Sequence, residues 1–187
     1  ALLDFSQKHN IKIGTIADLI NYRILNEKTV EKIEQKSVKT EYGKFNLILY
    51  KDLIFDETHL VLQKGKISKN SPTLVRVQQS NFFHDLLNID EYGARWSVSD
   101  SMRKINEAGK GIILLIDGEN KKQDEFQEIN ASKKKRITVP NNDPRRIGIG
   151  SQILRDLGVK KIKLLGSEVR YPSLSGFDLE VTEYIKK

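Results

Sequence analysis

"DPRRIGIGSQILRDLGVKKIKLL", residues 143–165, decides the fold. Asp143 is a good N-cap, and Pro144 suits the first helical position, where its missing N–H costs nothing. The apolar residues Ile153, Leu154 and Leu157 continue the helix, and Gly158 stops it. "VKKIKLL" then reads as a buried strand. Just upstream, "GIILLID" (111–117) is a short uninterrupted apolar run, the mark of a strand covered on both faces. Before it, Val98, Met102, Ile105 and Ala108 recur at helical spacing up to Gly109. "DLEVTEYI" (178–185) reads as a last strand. Helix and buried strand alternate through this half of the chain.

The first half is β-rich. "KSVKTEYGKFNLILYKD" (36–52) predicts a hairpin turning at Tyr42–Gly43, and "HLVLQKGKI" (59–67) and "TLVRVQQ" (73–79) have strand composition. "TIADLINYRIL" (15–25) predicts a helix capped by Thr15, with Asp18 three residues on and an apolar face that includes Leu19 and Tyr22. "ENKKQDEFQEINASKKKR" (119–136) is mostly polar and charged and reads as a surface excursion or mobile loop. The fold class is mixed α/β.

Composition narrows the function classes. The chain has 187 residues, 38% of them hydrophobic, enough to bury a real core. No apolar run approaches the roughly 20 residues needed to span a bilayer, so no membrane role is expected. The absence of cysteine excludes disulfides and thiolate metal sites, and fits a cytoplasmic setting. A net charge of +7 calls for an anionic partner. The densest basic run, Lys133 to Arg136, has no interleaved aromatics, so a phosphorylated small molecule, or no specific ligand, is favoured over nucleic acid.

"FSQKHNIKIGTIADLINYR" (5–23) resembles the C-terminal end of 3,4-dihydroxy-2-butanone 4-phosphate synthase, which makes the four-carbon precursor of riboflavin. Residues 30–187 resemble GTP cyclohydrolase II, which opens the guanine ring of GTP; "HLVLQKGKI", "TLVRV", "AGKGIILL" and "IGIGSQILRDLGVKKIKLL" carry the likeness. The expected organisation is a synthase tail and linker over 1–29 and a cyclohydrolase II-like domain over 30–187, with mixed β-sheets and flanking helices. The resemblance also implies an upstream synthase half in the parent protein, where any magnesium would belong, and a homodimer.

The resemblance fails at the catalytic pocket. In the family, the strand ending Arg-Val runs on as His-Ser-Glu-Cys, and a Cys-Asp-Cys follows. Three thiolates hold a zinc that activates water. Counting without gaps from Arg76 to Gly109, the cysteine positions fall on Asn81, Tyr92 and Ala94, and His-Ser-Glu falls on Gln78, Gln79 and Ser80. No zinc cofactor is expected. His84, Asp85, Asp90 and Glu91 are capable ligands in the same stretch, against the plainer reading of a solvated loop. His9 and His59 stand alone in the sequence and read as structural or surface residues.

Elsewhere the pattern is partly kept. The family's Asp-x-Arg, proton acceptor and nucleophile at the α-phosphate, matches Asp143 and Arg145. Of its Glu-Gly-Arg, Glu119 remains, and the catalytic tyrosine of the following helix has no counterpart. The later Leu-Leu-Thr-Asn-Asn-Pro-x-Lys becomes "LLGSEVRY" (164–171), with Gly166 for threonine and Tyr171 at the lysine position. Arg76, Glu119 and Arg170 are the candidate nucleotide or phosphate contacts beside Asp143 and Arg145. The residues leave three readings: a domain without GTP hydrolysis attached to a synthase, a nucleotide- or phosphate-sensing module, and an unconventional GTP cyclohydrolase.

Overall fold

A computed structural model describes residues 2–15, 18–19, 22–23, 26–79, 85, 95–116, 144–169 and 172–187. Its centre is a seven-stranded sheet in the order β1-β2-β3-β5-β4-β6-β7. The strands are β1 (Val30–Thr40), β2 (Gly43–Asp52), β3 (Thr58–Lys64), β4 (Thr73–Gln79), β5 (Gly111–Ile116), β6 (Lys161–Leu165) and β7 (Glu180–Ile185). The first three form an antiparallel meander, and β3 pairs antiparallel with β5. From β5 through β4 and β6 to β7 every pairing is parallel. Parallel neighbours need crossovers, and the helices supply them.

β5 shows why an unbroken apolar run is required. Ile112, Leu114 and Ile116 join one core cluster, whereas Ile113 and Leu115 join another on the opposite face. Helix α2 (Val98–Ala108) covers the second cluster with Met102 and Ile105; helix α3 (Pro144–Asp156) covers the first with Ile149, Ile153 and Leu154. The result is a helix–sheet–helix sandwich, the geometry in which parallel strands are buried on both faces.

Local chemistry sets the helix ends. Ser97 caps α2 by accepting from the Asp100 N–H at 3.1 Å, and Gly109 ends it in the left-handed region at φ 71°. α3 ends in a Schellman motif: Val159 N–H bonds Leu154 O and Gly158 N–H bonds Arg155 O, both at 3.0 Å, with Gly158 at φ 83°. Close packing sets other positions. A Cβ on Gly150 of α3 would lie 3.2 Å from Ile116 Cδ1, so the glycine lets α3 sit low on β5.

The expected hairpin is present, one residue early: Thr40 pairs with Gly43, and Glu41–Tyr42 form the turn. The expected Thr15 cap is also found. Thr15 Oγ1 accepts from Asp18 N–H at 3.0 Å, and the Asp18 carboxylate accepts from Thr15 N–H at 3.2 Å. The apolar face predicted beyond it is not buried where described: Leu19 and Tyr22 are exposed, as are Leu2, Leu3 and Phe5 of the leading helix α1 (Leu2–His9). Closer to β1 the chain is tied to the sheet domain: Lys28 donates to Asp156 at 2.9 Å, and the Thr29 N–H and hydroxyl bond Gln152 Oε1 on α3 at 2.9 and 3.2 Å. Among the described residues no helix is long and apolar enough to cross a membrane.

Candidate functional site

Alternation along β4 sends its side chains to opposite faces. Val75 and Val77 pack with the α3 cluster and Leu74 with the α2 cluster, so Arg76 and Gln78 face α2. Arg76 reaches backbone carbonyls there: Nη1 donates to Leu165 O at 2.8 Å and Nη2 to Trp96 O at 3.1 Å. Its Nε donates to Gln78 Oε1 at 2.8 Å. The Gln78 amide in turn donates to both oxygens of Asp85 at 3.0 Å, and Asp85 accepts from Val98 N–H at 3.3 Å.

This chain, Arg76 to Gln78 to Asp85 to the start of α2, occupies the end of β4 where the resemblance puts a histidine and the first zinc cysteine. Asp85, one of the capable ligands in the sequence, is held here as an acceptor of amide hydrogens. The family's zinc does not fit the donors present: the chain contains no thiolate, and Gln78 replaces imidazole with an amide already bonded at both ends. Asn81, Tyr92, Ala94, His84, Asp90 and Glu91 lie outside the described residues.

On the other face, α3 begins beside the carboxyl ends of β4 and β5, the edge where open parallel sheets bind ligands. Arg145, in its first turn, donates from Nη2 to the Glu57 carboxylate at 2.5 Å, and its guanidinium lies 3.3 Å from the centre of the Phe55 ring. Its neighbour Arg146 bonds the side chain of Gln79 on β4. Arg76 and Arg145 are therefore not brought together, since the sheet separates them. Asp143, Glu119, Arg170 and Tyr171 lie outside the described residues. At the threonine position, Gly166 stands where a Cβ would touch Arg76 Nη1 at 3.4 Å.

The corner beside Arg145 holds a group that the sequence did not reveal. Tyr50 pairs with His59 in the β2–β3 ladder, which sets His59 against α3 at 0% exposure. Asp52, 1% exposed, closes the loop after β2: its Oδ1 accepts from Ile54 N–H at 2.8 Å and Phe55 N–H at 3.3 Å. Donor atoms of Asp52, Glu57 and His59 all lie within 4.8 Å of one another. The reading of His59 as an isolated residue is thus corrected. The antiparallel register brings it opposite the end of β2, and the seven-residue separation of Asp52 and His59 between two expected strands was the available signal.

Comparison with known proteins agrees with the architecture. A 3,4-dihydroxy-2-butanone 4-phosphate synthase of Pseudomonas aeruginosa is 43% identical over 97% of this chain and 50% of its own length. The riboflavin biosynthesis protein RibBA of Aquifex aeolicus is 34% identical over 98% of the chain and 48% of its own. The crystal structure of RibBX, a two-domain 3,4-dihydroxy-2-butanone 4-phosphate synthase from A. baumannii, superposes with a TM-score of 0.63 at 38% identity, covering 98% of this chain and 48% of that one. The chain thus spans about half the length of these relatives. Residues 31–186 match the sequence profile of GTP cyclohydrolase II, and the chain belongs to that family.

Proposed function

We propose that this is a GTP cyclohydrolase II-like domain that does not hydrolyse GTP and serves a cytoplasmic, homodimeric riboflavin-biosynthesis protein acting as 3,4-dihydroxy-2-butanone 4-phosphate synthase. The observation that carries this reading is the closed hydrogen-bond chain from Arg76 through Gln78 to Asp85 in a sequence without cysteine. Opening a guanine ring by hydrolysis needs an activated water. The end of β4 offers an amide where the family has an imidazole, and that amide is bonded to Arg76 and Asp85. Leu2, Leu3, Phe5, Ile11, Ile13, Leu19 and Tyr22, all exposed, suit the tail of a synthase half better than part of the sheet domain. The names of the relatives support the same assignment.

The test is direct. Purified protein incubated with GTP, zinc and magnesium is expected to release no formate above background. Steady turnover that depends on protein concentration would overturn the proposal and support an unconventional cyclohydrolase.

A second reading, a nucleotide- or phosphate-sensing module, draws on the place of Arg145 in the first turn of α3, where backbone N–H groups and the helix dipole favour an anion. The anion must displace Glu57, so weak binding is expected. Calorimetry with pyrophosphate and GTP distinguishes the readings. A sensor binds and loses binding on Arg145→Ala, whereas an accessory domain binds neither.

A further inference from the structure

We infer that Asp52, Glu57 and His59 form a site for a first-row divalent cation such as zinc or manganese, separate from the family's cysteine pocket and on the opposite face of the sheet. The geometry has three parts. Their donor atoms, one from each residue, lie mutually within 4.8 Å, so that small side-chain shifts bring them to the roughly 3–4 Å separations of ligands around one ion. Asp52 is 1% exposed, and while its Oδ1 is engaged by the loop N–H groups, its Oδ2 is buried with no hydrogen-bond partner among the described residues. A buried carboxylate oxygen left so is costly unless something compensates it. Third, Asp52 also borders a small cavity of about 40 Å³ beside Arg145, space for a water next to that carboxylate.

The donor chemistry selects the class of ion. One imidazole with two carboxylates suits zinc, manganese or iron better than calcium or magnesium, which prefer oxygen alone. Charge adds a distinguishing feature. Glu57 is at present neutralised by Arg145, and an ion bound by Glu57 must compete with that guanidinium. Binding is therefore coupled to Arg145: the ion and the arginine share one carboxylate. A nonspecific surface site would show no such antagonism.

The experiment uses the 187-residue protein, with no purification tag, stripped with chelator and titrated calorimetrically with zinc chloride and with manganese chloride. One ion per chain is expected. Glu57→Gln and His59→Gln should each weaken binding by about tenfold or more, as loss of a ligand from a small donor set does. Arg145→Gln should tighten it severalfold. Asp52→Asn keeps an acceptor for the loop N–H groups and should also weaken binding; if it does not fold, Glu57→Gln, at a less buried position, decides. No binding of either metal at millimolar concentration overturns the inference. So does binding that Glu57→Gln, His59→Gln and Arg145→Gln leave unchanged, which would place the ion elsewhere.

Discussion

The Tyr50 hydroxyl on β2 donates to Asp156 Oδ2, at the last residue of α3, at 2.7 Å. Lys28 donates to the other Asp156 oxygen at 2.9 Å, so one carboxylate ties the meander, the helix and the segment before β1. Burial pushes the Asp156 carboxyl up, but the bonds from Tyr50 and Lys28 and the charges of Lys28 and Lys32 outweigh it and hold it below its ordinary 3.8. Burial, then the bond to Asp156, raises the Tyr50 phenol well above its ordinary 10.0.

The two shifts bound a pH window. Asp156 is depressed on folding, so its contribution is complete above pH 3.8 and is lost as pH falls through the folded value. Tyr50 is raised, so its contribution is complete below pH 10.0 and is lost as pH rises through its folded value. Urea unfolding across pH should show both limbs in the native chain. Asp156→Asn should flatten the acid limb, and Tyr50→Phe should flatten the alkaline one and cost about 1–2 kcal/mol at neutral pH.

Gln78→Leu should destabilise the protein by about 1–3 kcal/mol, because the Arg76 and Asp85 groups lose a shared partner in a partly buried setting. Chemical denaturation measures the change. A neutral or stabilising outcome would mean that the network at the end of β4 contributes little to holding α2 in place.

Gly111→Ala should cost about 1–3 kcal/mol through overpacking. A Cβ there would stand 2.7 Å from Ile105 Cγ1 and 2.9 Å from Leu74 O, and the carbonyl belongs to a paired strand that cannot easily retreat. Thermal unfolding tests this, with Gly109→Ala as a contrast: that position has open space but φ 71°, so its cost is backbone strain alone.

Ile153→Ala should lower stability by about 2–5 kcal/mol, since Ile153 is 0% exposed between α3 and the sheet and its loss leaves a cavity. Equilibrium unfolding should show the loss at an unchanged denaturant slope. A loss under 1 kcal/mol would indicate that α3 settles into the gap.

The parts of the fold that rest on local pattern were readable from the sequence. "GIILLI" can be apolar at every position only if both faces are covered, and both are. Pro144 and Gly158 mark the ends of α3 because their preferences are local, whatever the rest of the chain does. The hairpin turn was displaced by one residue, because Gly43 takes its positive φ of 113° as the first residue of β2 rather than within the loop. The site was harder to read, for two reasons. Arg76 and Arg145 look like one phosphate-binding pair until strand alternation puts them on opposite faces. Asp52 and His59 look unrelated until the register of β2 against β3 joins them. Family likeness pointed to where a zinc pocket should be, whereas the polar cluster on the other face follows from pairing that no residue pattern states.

The strand order also fixes when the molecule can close during synthesis. The meander β1–β2–β3 joins strands that follow one another, so each pairs soon after leaving the ribosome. β4 is different, because its partners on both sides, β5 and β6, come later in the chain. Until Leu165 has emerged, "TLVRV" keeps an unsatisfied edge, the kind of surface that other chains join. A chain truncated before Lys161 would therefore keep most of its sheet yet be prone to aggregate through β4, and β6 is the strand that closes this edge.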